Sequence, residues 1–154
     1  MIQRIQSLYL LVAAALLAVA IFTPIASFTG GGTELTLSAF ELSDSEGVYA
    51  ESALWMGILL SLSALLPLVT IFLYKHRPLQ IRLCGVELVL LVGDIAFMTI
   101  YYLLAERVVE ATAFPASAIR FGAIMPVVAI VFVALAMRAI FRDELLVRSL
   151  DRIR

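Results

Sequence analysis

The chain has 154 residues, of which 63% are hydrophobic, with a net charge of −1 and a single cysteine; its mean hydropathy is +1.06. Soluble domains are only about 45–50% apolar, and a chain of this size could not bury so much apolar surface in a soluble fold. The near-neutral charge gives no basic field for nucleic acid, and the lone Cys84 excludes an internal disulfide. The composition therefore predicts a single membrane domain over residues 1–154, surrounded by the lipid bilayer.

Four apolar segments follow one another along the chain, at residues 8–28, 53–74, 83–105 and 121–141. Each approaches the roughly 20 residues that a helix needs to cross a hydrocarbon core of about 30 Å. They are continuous apolar runs, whereas membrane barrels are built from alternating segments of about ten residues. We therefore expect an all-α, antiparallel four-helix membrane bundle, with the first span retained because its apolar run is long for a signal peptide.

The connections between these segments differ in charge. The outer loop at residues 29–52 is acidic, and its segment 33–38 alternates polar and apolar residues, which is typical of a strand and predicts a small β-hairpin. Nine of the eleven basic residues lie on one side if the N-terminus is inside: Arg4, Lys75, Arg77, Arg82, Arg138, Arg142, Arg148, Arg152 and Arg154. Only Arg107 and Arg120 lie outside. This asymmetry predicts that both termini are cytoplasmic.

A basic tail at residues 142–154 follows the fourth segment without Pro or Gly, so it is predicted to extend that helix as an amphipathic segment. Leu146, Leu150 and Ile153 share one face of this helix, and its arginines lie largely off that face. A candidate cytoplasmic interaction surface is therefore formed by Arg142, Arg148, Arg152 and Arg154.

The two ends of the chain carry a family resemblance. The opening residues 1–7 (MIQRIQS) and the closing residues 142–154 (RDELLVRSLDRIR) resemble a Bacteroidota family of small four-helix membrane proteins that is catalogued as domain of unknown function 4293. The resemblance extends over the whole layout of the chain. It implies a multi-pass protein of the inner membrane, and it brings no activity and no assigned site residues.

Two acids lie inside the third segment. Glu87 and Asp94 are seven residues apart, so both project from nearly the same face of a helix. A charge at the centre of a bilayer costs about 2.5–3.5 kcal/mol on insertion scales, so such residues usually face protein or water. We expect both to face the bundle interior. One interpretation is a proton, cation or ligand site; the other, favoured about two to one, is a purely structural acid that is hydrogen-bonded, paired or protonated.

Arg138 completes the candidate intramembrane polar site with Glu87 and Asp94. It lies about one turn before the inner end of the fourth segment, at about the predicted depth of Glu87. Two interpretations stay equally open from the sequence. Either the two residues form a buried pair, or Arg138 extends to the lipid headgroups.

Motifs of enzymes and cofactor sites are missing from the sequence, including GxSxG, HExxH, a Walker loop and GxGxxG. His76 is the only histidine, so no catalytic residue, cofactor or metal is predicted. Pro67 and Pro126 lie at non-matching depths and predict simple kinks in place of a transporter repeat. The leading hypothesis is a non-enzymatic scaffold or accessory subunit that binds a membrane-protein partner or a second copy. The alternative is a small transporter or proton-coupled protein that uses Asp94 and Glu87.

Overall fold

The computed structural model describes residues 2–30, 33–44, 50–74, 76–110 and 116–151. In these residues there are four helices: α1 (Ile2–Phe22), α2 (Leu54–Phe72), α3 (Arg77–Glu110) and α4 (Phe121–Asp151). Five short strands lie between the helices: β1 (Ala26–Gly30), β2 (Thr33–Leu37), β3 (Glu41–Asp44), β4 (Ala50–Ser52) and β5 (Ala116–Ile119).

Each of the four helices is long and apolar enough to cross a membrane. The segments that meet this criterion by length and composition are Ile5–Phe22, Leu54–Phe72, Arg77–Arg107 and Phe121–Leu146. The helices form a ring in which α1 packs against α2 and α4, and α3 packs against the same two neighbours. The four predicted helices are thus confirmed, together with a short antiparallel sheet.

The interior of the bundle follows a repeat of three and four residues along each helix. In α3 the buried positions include Gln80, Cys84, Glu87, Leu91, Asp94 and Met98. In α4 they include Ala129, Val133, Ala136 and Ile140. This spacing averages about 3.6 residues, the period of an α-helix, which keeps one side of each helix facing its neighbours.

The outer faces of the helices are apolar. Val89 of α3 is 72% exposed and Leu65 of α2 is 58% exposed, and similar side chains cover α1 and α4. Buried acids inside and exposed aliphatic side chains outside reverse the usual distribution in a soluble protein. A continuous apolar surface of this kind needs an apolar environment or a partner.

The sheet lies at the end of the bundle where α1 ends and α2 begins. Its strand order is β4-β3-β2-β1-β5, with every neighbouring pair antiparallel. The strand expected at residues 33–38 is confirmed as β2, and it pairs with β1 in the register Phe28 to Leu35. The all-α description was incomplete, because the hairpin belongs to a five-stranded sheet that also recruits β5.

The first span ends earlier than predicted. The apolar run at residues 8–28 predicts one helix, but α1 ends at Phe22. The last residues of the run belong to β1. Pro24 explains the difference, since it cannot donate a helical hydrogen bond and disfavours helical geometry at the residue before it. The Ile25 amide instead donates to the Leu37 carbonyl at 2.8 Å, which begins the sheet.

The third helix is longer than predicted at both ends. It was expected at residues 83–105, yet α3 begins at Arg77 and ends at Glu110. The predicted connection at residues 106–120 is therefore partly helix and partly β5, while residues 111–115 lie outside the described ranges. The helical continuation of α4 into the tail is confirmed as far as Asp151.

Glycines allow two close contacts between the helices and the sheet region. A methyl group at Gly57 of α2 would clash with the Phe40 ring and lie 2.9 Å from the Ala39 carbonyl oxygen. A methyl group at Gly122 would lie 2.7 Å from the Pro24 carbonyl oxygen. The absence of a side chain at these two positions lets α2 and α4 approach the β-layer closely.

Candidate functional site

The two acids of α3 face the inside of the bundle, as expected. Glu87 is 1% exposed and Asp94 is fully buried. None of their four carboxylate oxygens has a hydrogen-bond partner. A buried polar group without a partner costs free energy, because it loses water and gains nothing in return. These two side chains are therefore the most costly groups in the described core.

Ser63 of α2 lies beside Asp94. It is fully buried, and its hydroxyl makes no hydrogen bond of good geometry. Pro67 lies four residues later in the same helix. Since proline has no N–H, the Ser63 carbonyl also loses its helical donor. Ser63 and Asp94 are thus two fully buried polar side chains on the facing helices α2 and α3.

The described cavities do not reach these acids. One cavity of about 240 Å³ lies beneath the sheet and is lined by residues such as Ile25, Met98 and Tyr102. A second, of about 390 Å³, lies between α1 and α4 and is lined by Tyr9 and Arg138 among others. Neither Glu87 nor Asp94 lines either cavity. Both acids are closed off from the surface, at 1% and 0% exposure.

Of the two interpretations left open for Arg138, the buried pair with Glu87 does not form in the structure. Arg138 is exposed and lines the groove between α1 and α4, while Glu87 is buried without a hydrogen-bond partner. The physical reason is the helical face. The buried seam of α4 passes through Ala136 and Ile140, which places Arg138 on the outside of the bundle. Similar depth along two helices did not bring the two side chains together.

Two further polar side chains near the opposite end from the sheet were missed from the sequence. Gln80 of α3 donates its Nε2 hydrogen to the Thr70 carbonyl at 2.9 Å, which satisfies a carbonyl in the last turn of α2. Gln6 of α1 is nearly buried, and its Nε2 group has no hydrogen-bond partner. Gln80 could have been found, because it lies seven residues before Glu87 on the same seam.

An ion pair joins α3 to α4 at this end. The Arg77 guanidinium lies 3.1 Å from the Asp143 carboxylate and is also 3.4 Å from the Asp143 carbonyl oxygen. Both side chains are only partly accessible, at 26% and 14%. Arg77 was predicted only as one of the basic residues of a loop. The structure makes it the first residue of α3 and a tie to the tail.

The predicted tail surface is only partly visible in the structure. Arg142 is exposed and lines the same groove as Arg138. Arg148 lies within α4, but nothing is described of its side chain, and Arg152 and Arg154 lie outside the described residues. The amphipathic face formed by Leu150 and Ile153 likewise stays a prediction. Within the described ranges, no three His, Cys, Asp or Glu side chains are grouped to hold a metal ion.

The enclosed acids, the ring of four apolar helices and the small end sheet define a class of four-helix protein with buried acids in an apolar bundle. Comparison with protein families matches residues 2–153 to the family described as "Domain of unknown function (DUF4293)". The chain belongs to this family, since the match covers nearly its whole length. No curated protein matches the chain significantly.

Proposed function

We propose that the chain is a multi-pass inner-membrane protein that serves as a non-enzymatic scaffold or accessory subunit. The observation that carries the membrane part is the exposed apolar surface on all four helices, combined with fully enclosed carboxylates. In a bilayer the apolar side chains meet lipid, and the polar groups face the bundle interior. The basic residues gather at the end opposite the sheet, which favours a cytoplasmic position for that end.

The scaffold part is supported by the shape of α4. This helix continues for two turns beyond the Arg77–Asp143 ion pair, to Asp151. The sequence of this extension and of the residues after it includes Arg148, Arg152 and Arg154, which we propose as contacts for a partner. The enclosed position of Glu87 and Asp94 also favours a structural role for these acids over a transport path.

Affinity purification in a mild detergent, followed by mass spectrometry, tests for such a partner. The tail variant changes Arg148, Arg152 and Arg154 to Gln. A control variant changes Arg82 and Arg107, two exposed arginines at other places, to Gln. A specific partner should be retained by the wild type and by the control and lost from the tail variant. Equal recovery from all three proteins would contradict a role of the tail.

A second candidate function is a proton-coupled transporter. The specific observation that favours it is that all carboxylate oxygens of Glu87 and Asp94 lack hydrogen-bond partners, which is costly unless the site has another use. Proteoliposomes that contain a trapped pH-sensitive dye discriminate the two proposals. The scaffold proposal expects proton flux equal to that of empty liposomes. Flux that is present in the wild type and lost in Asp94→Asn would favour the transporter.

A further inference from the structure

The groove between α1 and α4 combines an apolar wall with two arginines. It has a volume of about 390 Å³, and its wall includes Ile5, Tyr9, Leu135 and Ala139. Tyr9 also packs against Phe132, with ring centroids 6.3 Å apart. This contact supports the wall on the side nearer the middle of the helices. Arg138 and Arg142 line the groove toward its other end.

The two arginines are one helical turn apart and therefore project from the same side of α4. Both are exposed, and neither has a hydrogen bond or ion pair with any residue that the structure describes. Asp143 also lines the groove, but its carboxylate is already paired with Arg77 at 3.1 Å. The groove is thus lined by two arginines and by one acid that is already paired with Arg77.

The position of these cations matches the boundary of a bilayer. Arg138 and Arg142 both lie in the last third of the apolar segment Phe121–Leu146. Arg138 is four residues, or about 6 Å, nearer the middle of the helix than Arg142. A guanidinium on a long side chain can reach the headgroup region from such a position. A phospholipid has a matching arrangement, because its phosphate lies at the membrane boundary and its acyl chains lie in the hydrocarbon core.

We infer that this groove is a binding site for an anionic glycerophospholipid. The lipid phosphate lies between the guanidinium groups of Arg138 and Arg142, and one acyl chain lies along Ile5, Leu135 and Ala139. Arginine suits this task because its planar fork donates two parallel hydrogen bonds to phosphate oxygens. Basic pockets between helices on the cytoplasmic side hold anionic headgroups in this way. The inference rests on the membrane part of the proposed function.

Native mass spectrometry of the full chain released from nanodiscs tests the inference. The nanodiscs contain phosphatidylcholine with a minor fraction of phosphatidylglycerol. The wild type should retain one phosphatidylglycerol molecule in preference to phosphatidylcholine. The double variant Arg138→Gln with Arg142→Gln should lose at least about tenfold in apparent affinity, since each charge-assisted hydrogen bond contributes more than one neutral bond. The single variant Arg82→Gln, which removes an exposed arginine outside the groove, should keep the adduct.

A second variant tests the apolar wall of the groove separately from the arginines, so the result does not depend on the arginine variant alone. Ala139→Phe leaves both arginines in place and fills the path of the acyl chain, so it should also lose the lipid adduct. Inorganic phosphate added before release should not displace the lipid. Equal phosphatidylglycerol retention by the wild type and the double arginine variant would overturn the inference, and so would complete displacement by phosphate.

Failure of the inference can be told apart from failure of the proposed function. Alkaline carbonate extraction of cell membranes tests the membrane part on the same wild-type protein. If the protein stays in the membrane but shows no arginine-dependent lipid, only the lipid site is overturned. If it is extracted as a soluble protein, the membrane proposal fails first.

Discussion

The Arg77 guanidinium and the Asp143 carboxylate, 3.1 Å apart, set the relative register of α3 and α4. Both helices rise by about 1.5 Å per residue. Equal steps from the ion pair therefore bring Glu87 level with Val133, and Asp94 level with Pro126. Because the seam of α4 is apolar at these levels, it provides no side-chain partner for either acid. Both acids therefore lie level with apolar residues of α4.

Breaking this ion pair should have a modest effect. Arg77→Gln or Asp143→Asn should each lower the free energy of unfolding by about 0.5–1 kcal/mol, because both partners are partly accessible to water. The double variant should lose less than the sum of the two. Thermal unfolding in detergent measures all three. Strictly additive losses would mean that the pair contributes nothing to stability.

Changes at Glu87 and Arg138 should be independent. One side chain is enclosed and the other lies on the outside of α4, so no direct interaction couples them. The effects of Glu87→Gln and Arg138→Gln on the free energy of unfolding should add within about 0.5 kcal/mol. If the double variant recovers a substantial part of the loss, Glu87 and Arg138 form a buried pair after all, which would contradict the structure.

Replacing Glu87 by an apolar side chain of similar length should stabilise the protein. Glu87→Met removes two unpartnered oxygens from the core, and we expect a gain of about 1–3 kcal/mol. Glu106→Met, near the outer end of the same helix, is the control and should change stability by less than about 0.5 kcal/mol. Unfolding curves in detergent compare them. A clear loss of stability in Glu87→Met would indicate that the carboxylate holds a stabilising partner, such as an ion or water.

Alanine substitutions at three glycines should distinguish two effects on stability, the loss of a close contact and the gain in helix propensity. Gly57→Ala and Gly122→Ala should each destabilise by about 1–3 kcal/mol, because the added methyl meets Phe40 in the first case and the Pro24 carbonyl in the second. Gly85 has no atom within 4 Å of the methyl position, so Gly85→Ala should gain up to about 1 kcal/mol. The same melting experiment checks all three. An equal effect at the three sites would show that neither close contact matters.

The helices could be predicted from the sequence, because apolar runs long enough to span a bilayer leave few alternatives to a helix. The sheet could be predicted only at residues 33–38, where the alternation is local. The strands β1 and β5 pair Phe28 with Ser117, far apart in the sequence, and no local pattern announces such a pairing. The early end of α1 was signalled by Pro24, but the apolar residues after it extended the predicted helix.

The candidate site shows the same division. Burial of Glu87 and Asp94 followed from the cost of exposing a carboxylate to lipid. Ser63 was missed because serine is common in membrane spans, although Pro67 four residues later marked its carbonyl as unpartnered. A pair between Glu87 and Arg138 was considered because the two residues lie at similar depths. The helical face on which each residue lies was not compared. The repeat through Ala136 and Ile140 already placed Arg138 on the outer side of α4.

The orientation in the membrane is the central claim, and labelling from one side tests it most directly. Alkaline phosphatase, which is active only outside the cytoplasm, is fused after Arg154. In a separate variant, a cysteine replaces the exposed Glu34 of the sheet and is labelled in intact spheroplasts with a membrane-impermeant maleimide. The proposed topology predicts an inactive fusion and a labelled sheet cysteine. An active fusion, together with a sheet cysteine that is labelled only after lysis, would contradict it.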